Sequence, residues 1–315
     1  MKGRVSVLAV VLAAAIAAAA GGAVAGSSAG AAPLSLAVIG DVPYGDAQLA
    51  AFPSWIEAIN EAPRVDAVVH LGDIKSGSTR CDDAYFETIA GLFGTFDDPV
   101  VYTPGDNEWT DCHRPNNGGY DPLERLERLR EVFFAQPGKT LGGRQKTVAS
   151  QAGYPENVLW GQARAVFAAV HVIGSNNSLA LWTGQTSPTP AQSAEAEARI
   201  AAAIEWLDAA FDLAERTHAR GVVLMMQADT FEGDNETLAG FAPILARLEQ
   251  RAAALEGPVL LLQGDSHSYL EDQPLAGAPN LTRIVVEGSA TASEWLRIDI
   301  RPGGRAFFTW ERIGL

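Results

Sequence analysis

The chain is poor in positive charge. Its 315 residues include 23 Lys and Arg against 38 Asp and Glu, which gives a formal net charge of −15 at pH 7. Such a balance repels the phosphates of nucleic acids and of anionic membranes, so neither is expected as a partner. Charged residues make up 19% of the chain and hydrophobic residues 47%. This composition is that of an ordinary globular protein and excludes disorder, collagen and coiled coil for its bulk.

Repeats and long linkers are also missing. No fixed-period repeat runs through the sequence, and no stretch is rich enough in Pro, Gly or Ser to separate two domains. We therefore expect one domain, which spans residues 34–315.

The N-terminus lacks acidic residues and has the pattern of a signal peptide. Lys2 and Arg4 precede an apolar run at 5–20, and Ala23-Val24-Ala25 offers a signal-peptidase site. The alternative is an uncleaved membrane anchor, but the run is short for a span and rich in weakly hydrophobic Ala. The sequence predicts a signal peptide at 1–25, a secreted or periplasmic protein, and no stable membrane span after cleavage.

Cysteine is scarce. Cys81 and Cys112 are the two in the sequence, and neither has a close Cys or His partner except His113, so a cysteine-based metal site is poorly supported. In an exported protein, a disulfide between them is favoured over two free buried thiols.

Short apolar runs alternate with segments of helical periodicity, which is typical of an α/β fold. Helices are predicted near 47–60, 123–134, 191–217 and 236–255. The strands are predicted at 34–39, 67–71, 100–102, 165–173, 221–226, 259–263, 282–286, 295–300 and 306–310. The last three strands have no helix between them, so we expect them to pair antiparallel.

A Gly-Asp dipeptide follows an apolar run, or a short strand, at four places. These are Gly40-Asp41, Gly72-Asp73, Gly105-Asp106 and Gly264-Asp265. Glycine permits a sharp turn at the carboxyl end of a strand, where the ligand crevice of an α/β sheet lies. One such dipeptide alone is more simply a turn or a cap. Four carboxylates that converge would repel one another unless a cation lies among them, so the set predicts a metal site.

These motifs resemble those of the calcineurin-like metallophosphoesterases. That family carries Asp-x-His, Gly-Asp, Gly-Asn-His-Asp/Glu, a strand-terminal His and Gly-His-x-His in this order. The corresponding segments here are 41–43, 72–73, 105–108, Gln227 and 264–267, with Pro43, Asp106, Asn107, Gln227 and Asp265 departing from the pattern. The resemblance implies an α/β fold, a four-layer α-β-β-α sandwich of two mixed sheets, with residues 282–310 in the second sheet.

The resemblance also implies a ligand set. Asp73 would bridge two metals, with Asp41 and His267 on the first. Asp106, Gln227 and Asp265 would hold the second, unless Asn107 takes the place of Asp106. Oxygen donors dominate this set, so one or two divalent ions are expected, Mg²⁺, Mn²⁺ or Ca²⁺ rather than Zn²⁺.

The implied activity is hydrolysis of a small phosphorylated substrate, a phosphomonoester or phosphodiester, by in-line attack of a metal-bound hydroxide. Asn107 stands at the family's catalytic His and would contact the substrate, but its amide is no acid. His113 is the candidate proton donor, or else an exposed loop histidine.

Two more residues are candidates for substrate binding. Lys75 would contact the phosphate or pair with a carboxylate, and Asn177 would donate a hydrogen bond or simply form a surface turn. The alternative function is a weakened or inactive metal-binding or ligand-binding domain, since several histidines are replaced.

Overall fold

The computed structural model describes residues 31–233 and 238–315. The predicted signal peptide at 1–25 lies outside this range. No helix in the described ranges is both long enough and apolar enough to cross a membrane.

Twelve strands in the described part of the chain form two mixed sheets. The five-stranded sheet contains β1 (Leu34–Ile39), β2 (Ala67–His70), β3 (Val100–Tyr102), β11 (Glu294–Ile300) and β12 (Phe308–Gly314), in the order β12-β11-β1-β2-β3. The seven-stranded sheet contains β4 (Ala149–Gln151), β5 (Tyr154–Gln162), β6 (Ala165–Ala169), β7 (Gly221–Met225), β8 (Val259–Gln263), β9 (Leu270–Asp272) and β10 (Leu281–Val285). Its order is β4-β5-β6-β7-β8-β10-β9.

The helices are α1 (Gly45–Glu61), α2 (Asp83–Phe93), α3 (Pro122–Phe133), the left-handed turn α4 (Gly174–Asn177), α5 (Pro190–Thr217) and α6 (Ala242–Ala254). Helices α1, α2, α5 and α6 connect parallel strands, and α3 lies between β3 and β4. Local sequence explains where α3 and α5 begin: Pro122 and Pro190 occupy their first turns, and the preceding Asp121 and Thr189 cap free backbone N–H groups.

Apolar side chains fill three layers and give the predicted four-layer sandwich. Residues such as Val38 and Val69 of one sheet pack against Phe167 and Val223 of the other. A second cluster lies between the seven-stranded sheet and α5 and α6, and a third lies between the five-stranded sheet and α1, α2 and α3. Strands that are parallel and covered on both faces explain the uninterrupted apolar runs of the sequence.

The parallel strands aim their carboxyl ends at one edge. Strands β1, β2 and β3 are parallel neighbours, and so are β6, β7, β8 and β10. Each of the four Gly-Asp dipeptides named above follows one of these strands, so the topology brings the four acidic residues to the same rim of the sandwich.

The prediction that the last three strands pair antiparallel with one another is wrong in part. Strands β11 and β12 pair antiparallel and join β1, as expected of the final strands. Strand β10 instead lies in the other sheet, parallel to β8 and antiparallel to β9. Strand β8 pairs with β7 on one side and with β10 on the other. The pairing of β8 with β10 joins segments that are distant in the chain, so local periodicity does not report it.

A disulfide joins Cys81 and Cys112, as predicted. Both residues are fully buried, and both sulfur atoms lie 3.6 Å from the carbonyl oxygen of Asn107. The bridge therefore ties the loop after β2 to the loop after β3, beside the acidic rim.

Removing this bridge should destabilise the protein. We expect the double substitution Cys81→Ala/Cys112→Ala to lower the free energy of unfolding by about 3–4 kcal/mol, because the unfolded chain loses a closed loop of some 30 residues. Urea denaturation measures the change, and the wild type in a reducing agent should show a comparable loss. A loss below about 1 kcal/mol in both experiments would contradict a stabilising role.

Candidate metal centre

Two overlapping groups of ligands form at the rim. Asp41, Asp73 and His267 offer one ligand atom each within 4.8 Å of one another, and so do Asp73, Asp106 and Asp265. We call these the first trio and the second trio. Asp73 belongs to both. The structure therefore brings together five of the six predicted metal ligands, in the grouping that the resemblance implies.

The backbone at these residues is unusual. Asp41, Asp73, Asp265 and His267 all have positive φ, between 54° and 73°, in the left-handed region that non-glycine residues rarely adopt. Backbone strain of this kind is found where surrounding structure holds a side chain in a functional position.

Two glycines are required by close approach. A Cβ atom on Gly72 would lie 2.7 Å from the backbone nitrogen of Gly105, and one on Gly105 would lie 2.0 Å from Asp73 Oδ1. Gly72 and Gly105 thus let the ends of β2 and β3 pack close enough for Asp73 and Asp106 to meet.

Glu108 orients the loops rather than joining a trio. Its Oε1 accepts hydrogen bonds from the backbone N–H of Asp73 (3.0 Å) and of Gly105 (2.7 Å) and from the Tyr102 hydroxyl (2.8 Å). One buried carboxylate oxygen therefore holds the turns after β2 and β3 in place.

Tyr44 is a site residue that the sequence interpretation missed. Its hydroxyl donates to Asp73 Oδ2 (2.8 Å) and lies 3.3 Å from His267 Nε2. Asn107 Nδ2 donates to the same Asp73 oxygen and also to the Tyr44 hydroxyl (3.0 Å). The position of Tyr44, next to Pro43 in the first motif, was the signal that could have identified it.

Gln227 lies beside the second trio, as predicted, but its amide nitrogen and not its oxygen points toward the carboxylates. Its Oε1 accepts from the backbone N–H of Gly174 (2.7 Å), which leaves Nε2 pointing at Asp106 Oδ1 (3.2 Å). An amide nitrogen that carries two hydrogens donates and does not bind a cation. The predicted ligand Gln227 is therefore, in this orientation, a hydrogen-bond donor to the second trio.

The register that names Asp106 as the ligand fits the geometry. Asp106 joins the second trio, and Ser175 Oγ lies 2.9 Å from both Asp106 Oδ2 and Asp111 Oδ1. Asn107, the alternative ligand, contacts Asp73 through its amide nitrogen instead.

Two predicted substrate contacts need correction. Lys75 is completely buried and its Nζ donates to the carbonyl oxygen of Ser76 (3.0 Å), so it does not reach a substrate phosphate. Asn177 is also completely buried, with Nδ2 on the carbonyl oxygen of Gly240 (3.1 Å) and Oδ1 accepting from Arg199. Tertiary packing turned both polar side chains inward.

His113 lies apart from the trios. Its Nδ1 accepts from the backbone N–H of Thr183 (2.9 Å), and its ring lies 6.3 Å from that of Trp182. Among its contacts in the described ranges, none is with an acidic residue of either trio. Its role as a proton donor stays a prediction.

Burial and mutual repulsion dominate the electrostatics of the rim. Burial, together with the neighbouring carboxylates, raises the pKa of Asp41, Asp73 and Asp265 well above the ordinary range. Lys75 is the buried counter-charge, and burial lowers its pKa to about 8 even though Glu108 and Asp73 attract its proton.

The donor set fits a divalent cation. Several buried carboxylates that resist ionisation side by side become favourable ligands once a positive ion neutralises them. Asp41, Asp73 and His267, or Asp73, Asp106 and Asp265, would hold it. Oxygen donors in this number suit Mg²⁺, Mn²⁺ or Ca²⁺.

The sequence also matches a family of known proteins. The sequence profile of the calcineurin-like phosphoesterases matches residues 34–201. No curated protein sequence matches.

Two solved structures are similar in fold. One is GAP50, described as the anchor in the inner membrane complex of Plasmodium, with 10% identity, a TM-score of 0.51, and 90% of this chain and 89% of that chain covered. The other is the sulfate thiohydrolase SoxB of Thermus thermophilus in complex with glycerol, with 12% identity, a TM-score of 0.43, and 84% of this chain and 42% of that chain covered.

The stability of the metal-free protein should fall as the pH rises. Burial, followed by the charge of Asp106, raises the pKa of Asp111 from 3.8 to about 7, so between these values the folded state binds more protons than the unfolded state. We therefore expect the free energy of unfolding in a chelating buffer to decrease from about pH 4 to about pH 7. Asp111→Asn should remove on the order of 3 kcal/mol of that decrease.

Denaturant titrations at several pH values provide the measurement. The substitution Asp46→Asn, at an exposed Asp in the first turn of α1, is the matched control and should follow the wild type. A free energy of unfolding that rises over this pH range in the wild type would contradict the prediction.

Proposed function

Since the chain belongs to the calcineurin-like phosphoesterase family, we propose that it is a metal-dependent hydrolase of small phosphomonoesters or phosphodiesters. The observation that carries the proposal is the pair of ligand trios that share Asp73, each with two buried members and one partly exposed member. When bound, a divalent cation supplies the charge that activates water and neutralises phosphoryl oxygens.

The chain's own residues prepare this chemistry by position and by charge. Glu108 and the backbone hold Asp73, while the N–H of Asp265 donates to both oxygens of Asp41 (3.1 Å each). These bonds are formed in advance, so no reorganisation is needed when a substrate arrives.

The substrate approaches along the segment that carries Asp265, Ser266 and His267. These three residues are partly exposed, whereas Asp41 and Asp73 are buried. In a protein of net charge −15, a phosphate is attracted by the local charge of a bound cation rather than by the overall field.

Two features of the chain favour a location outside the cytoplasm. The apolar N-terminal run and the Cys81–Cys112 disulfide are both typical of proteins that leave the cytoplasm. We propose a secreted or periplasmic location.

A second candidate function is binding without catalysis. The amide groups of Gln227 and Asn107 stand where the family has histidines, and both donate to carboxylates of the trios. The similar Plasmodium chain is described as the anchor in the inner membrane complex. A folded protein that binds metal and hydrolyses nothing would favour this candidate.

Asp73→Asn should abolish hydrolysis. We expect wild-type protein to hydrolyse p-nitrophenyl phosphate or its bis ester with Mg²⁺, Mn²⁺ or Ca²⁺, and the variant to lose at least about 100-fold in kcat/KM, because both trios lose their shared charge. Asp46→Asn is the matched control and should keep full activity, because Asp46 also belongs to a Gly-Asp dipeptide but is exposed and is a member of neither trio. Equal rates in wild type and Asp73→Asn would contradict the proposed chemistry.

The oxygen-rich ligand set should discriminate against zinc. Protein purified without added metal is expected to contain Mg²⁺, Mn²⁺ or Ca²⁺, and activity should return with these ions after chelation, because Zn²⁺ prefers imidazole and thiolate. Elemental analysis checks the content. One equivalent of zinc that survives dialysis would contradict this choice of metal.

A further inference from the structure

The two oxygens of Asp73 are not equally free. Oδ2 accepts from the Tyr44 hydroxyl (2.8 Å) and from Asn107 Nδ2, and a carboxylate oxygen has two lone pairs. Among the residues that the structure describes, Oδ1 accepts one hydrogen bond, from the backbone N–H of Asn107 (3.2 Å). Asp73 therefore has room for a cation at Oδ1 and none at Oδ2.

Oδ1 faces Gly105, the residue before Asp106 of the second trio, and a Cβ on Gly105 would lie 2.0 Å from it. Oδ2 instead contacts the Tyr44 hydroxyl, which also lies beside His267 of the first trio. Asp106 and Asp265 complete the second trio, with ligand atoms within 4.8 Å of Asp73 and of each other. The less occupied oxygen of Asp73 therefore lies on the side of the chain segment that carries Asp106.

The Tyr44 hydroxyl blocks the first trio. It lies within hydrogen-bond distance of Asp73 Oδ2 and 3.3 Å from His267 Nε2, so it contacts two of the three members at once. The ring of Tyr44 is held edge-on to the ring of His267, with 5.3 Å between centroids. A hydroxyl in this position supplies the positive end of a dipole to Asp73 where the first trio would place an ion.

We propose that the chain binds one divalent cation, in the second trio, and that Tyr44 with Asn107 takes the place of a cation in the first. The inference rests on the metal dependence of the proposed function and goes beyond it, since it assigns the number of ions and the residues that limit it. Tyr44 acts as a positioning residue here, because it reaches the cation through Asp73.

The number of bound ions in the wild type is the first measurement. Equilibrium dialysis with Mn²⁺ should give one ion per chain, and its electron paramagnetic resonance spectrum should show an isolated ion without exchange coupling. Two ions per chain, or a coupled pair, would overturn the inference and leave the proposed hydrolase standing. No bound ion at all would overturn the metal dependence itself.

Two substitutions then locate the ion. Asp265→Asn should weaken Mn²⁺ binding by about 100-fold or more, whereas His267→Ala should leave the affinity within a few-fold of the wild type. The opposite pattern would place the ion in the first trio and overturn the inference. His267 is half-exposed, so its replacement is well tolerated by packing.

The last variant opens the first trio. Tyr44→Phe keeps the ring, frees a lone pair on Asp73 Oδ2 and should admit a second, weaker Mn²⁺ per chain, which His267→Ala in the same protein should remove. Tyr85→Phe is the matched control, because the Tyr85 hydroxyl donates to the carbonyl oxygen of Ile74 (2.9 Å) and touches no trio. A Tyr44→Phe protein that still binds one ion would overturn the assignment of Tyr44.

Discussion

Mutual repulsion among buried carboxylates is the constraint on which the acidic rim depends. Asp41, Asp73 and Asp106 follow strands of one sheet and Asp265 follows a strand of the other, and they meet at one rim where the first three are buried. Taking a charge out of water is costly unless hydrogen bonds or opposite charges compensate it. The surrounding residues are best understood as that compensation.

The compensation comes from donors of unlike kinds. Backbone N–H groups serve Asp41 and Asp73, the Gln227 amide serves Asp106, and buried Lys75 contributes a full positive charge. The amides of Asn107 and Gln227 and the hydroxyl of Tyr44 donate directly to the carboxylates. The protein can therefore hold this cluster together before a cation binds.

One side of the acidic rim is formed by the backbone turn at residues 175–178, which the buried Arg199 stabilises. Residues 175–178 all have positive φ, and buried Arg199 holds them through the carbonyl and side-chain oxygens of Asn177. The guanidinium also lies over the ring of Trp109, 5.3 Å from its centroid. Because this turn carries Ser175 to Asp106, the buried Asn177 positions the site from a distance and does not contact a substrate.

Local sequence determined most strands, most helices and the identity of the acidic residues, because apolar runs, periodicity and Gly-Asp turns are short-range signals. Helix α2 escaped although Phe86, Ile89 and Phe93 have helical spacing, and the hairpin of β4 and β5 escaped because its strands mix polar and apolar residues. Only the tertiary structure decided the partner of β10 and the burial of Lys75 and Asn177. It also decided the orientation of the Gln227 amide and the contact between Tyr44 and Asp73. Each of these depends on contacts between segments far apart in the chain, and the free energy of burying a polar group is set by those contacts rather than by its neighbours in sequence.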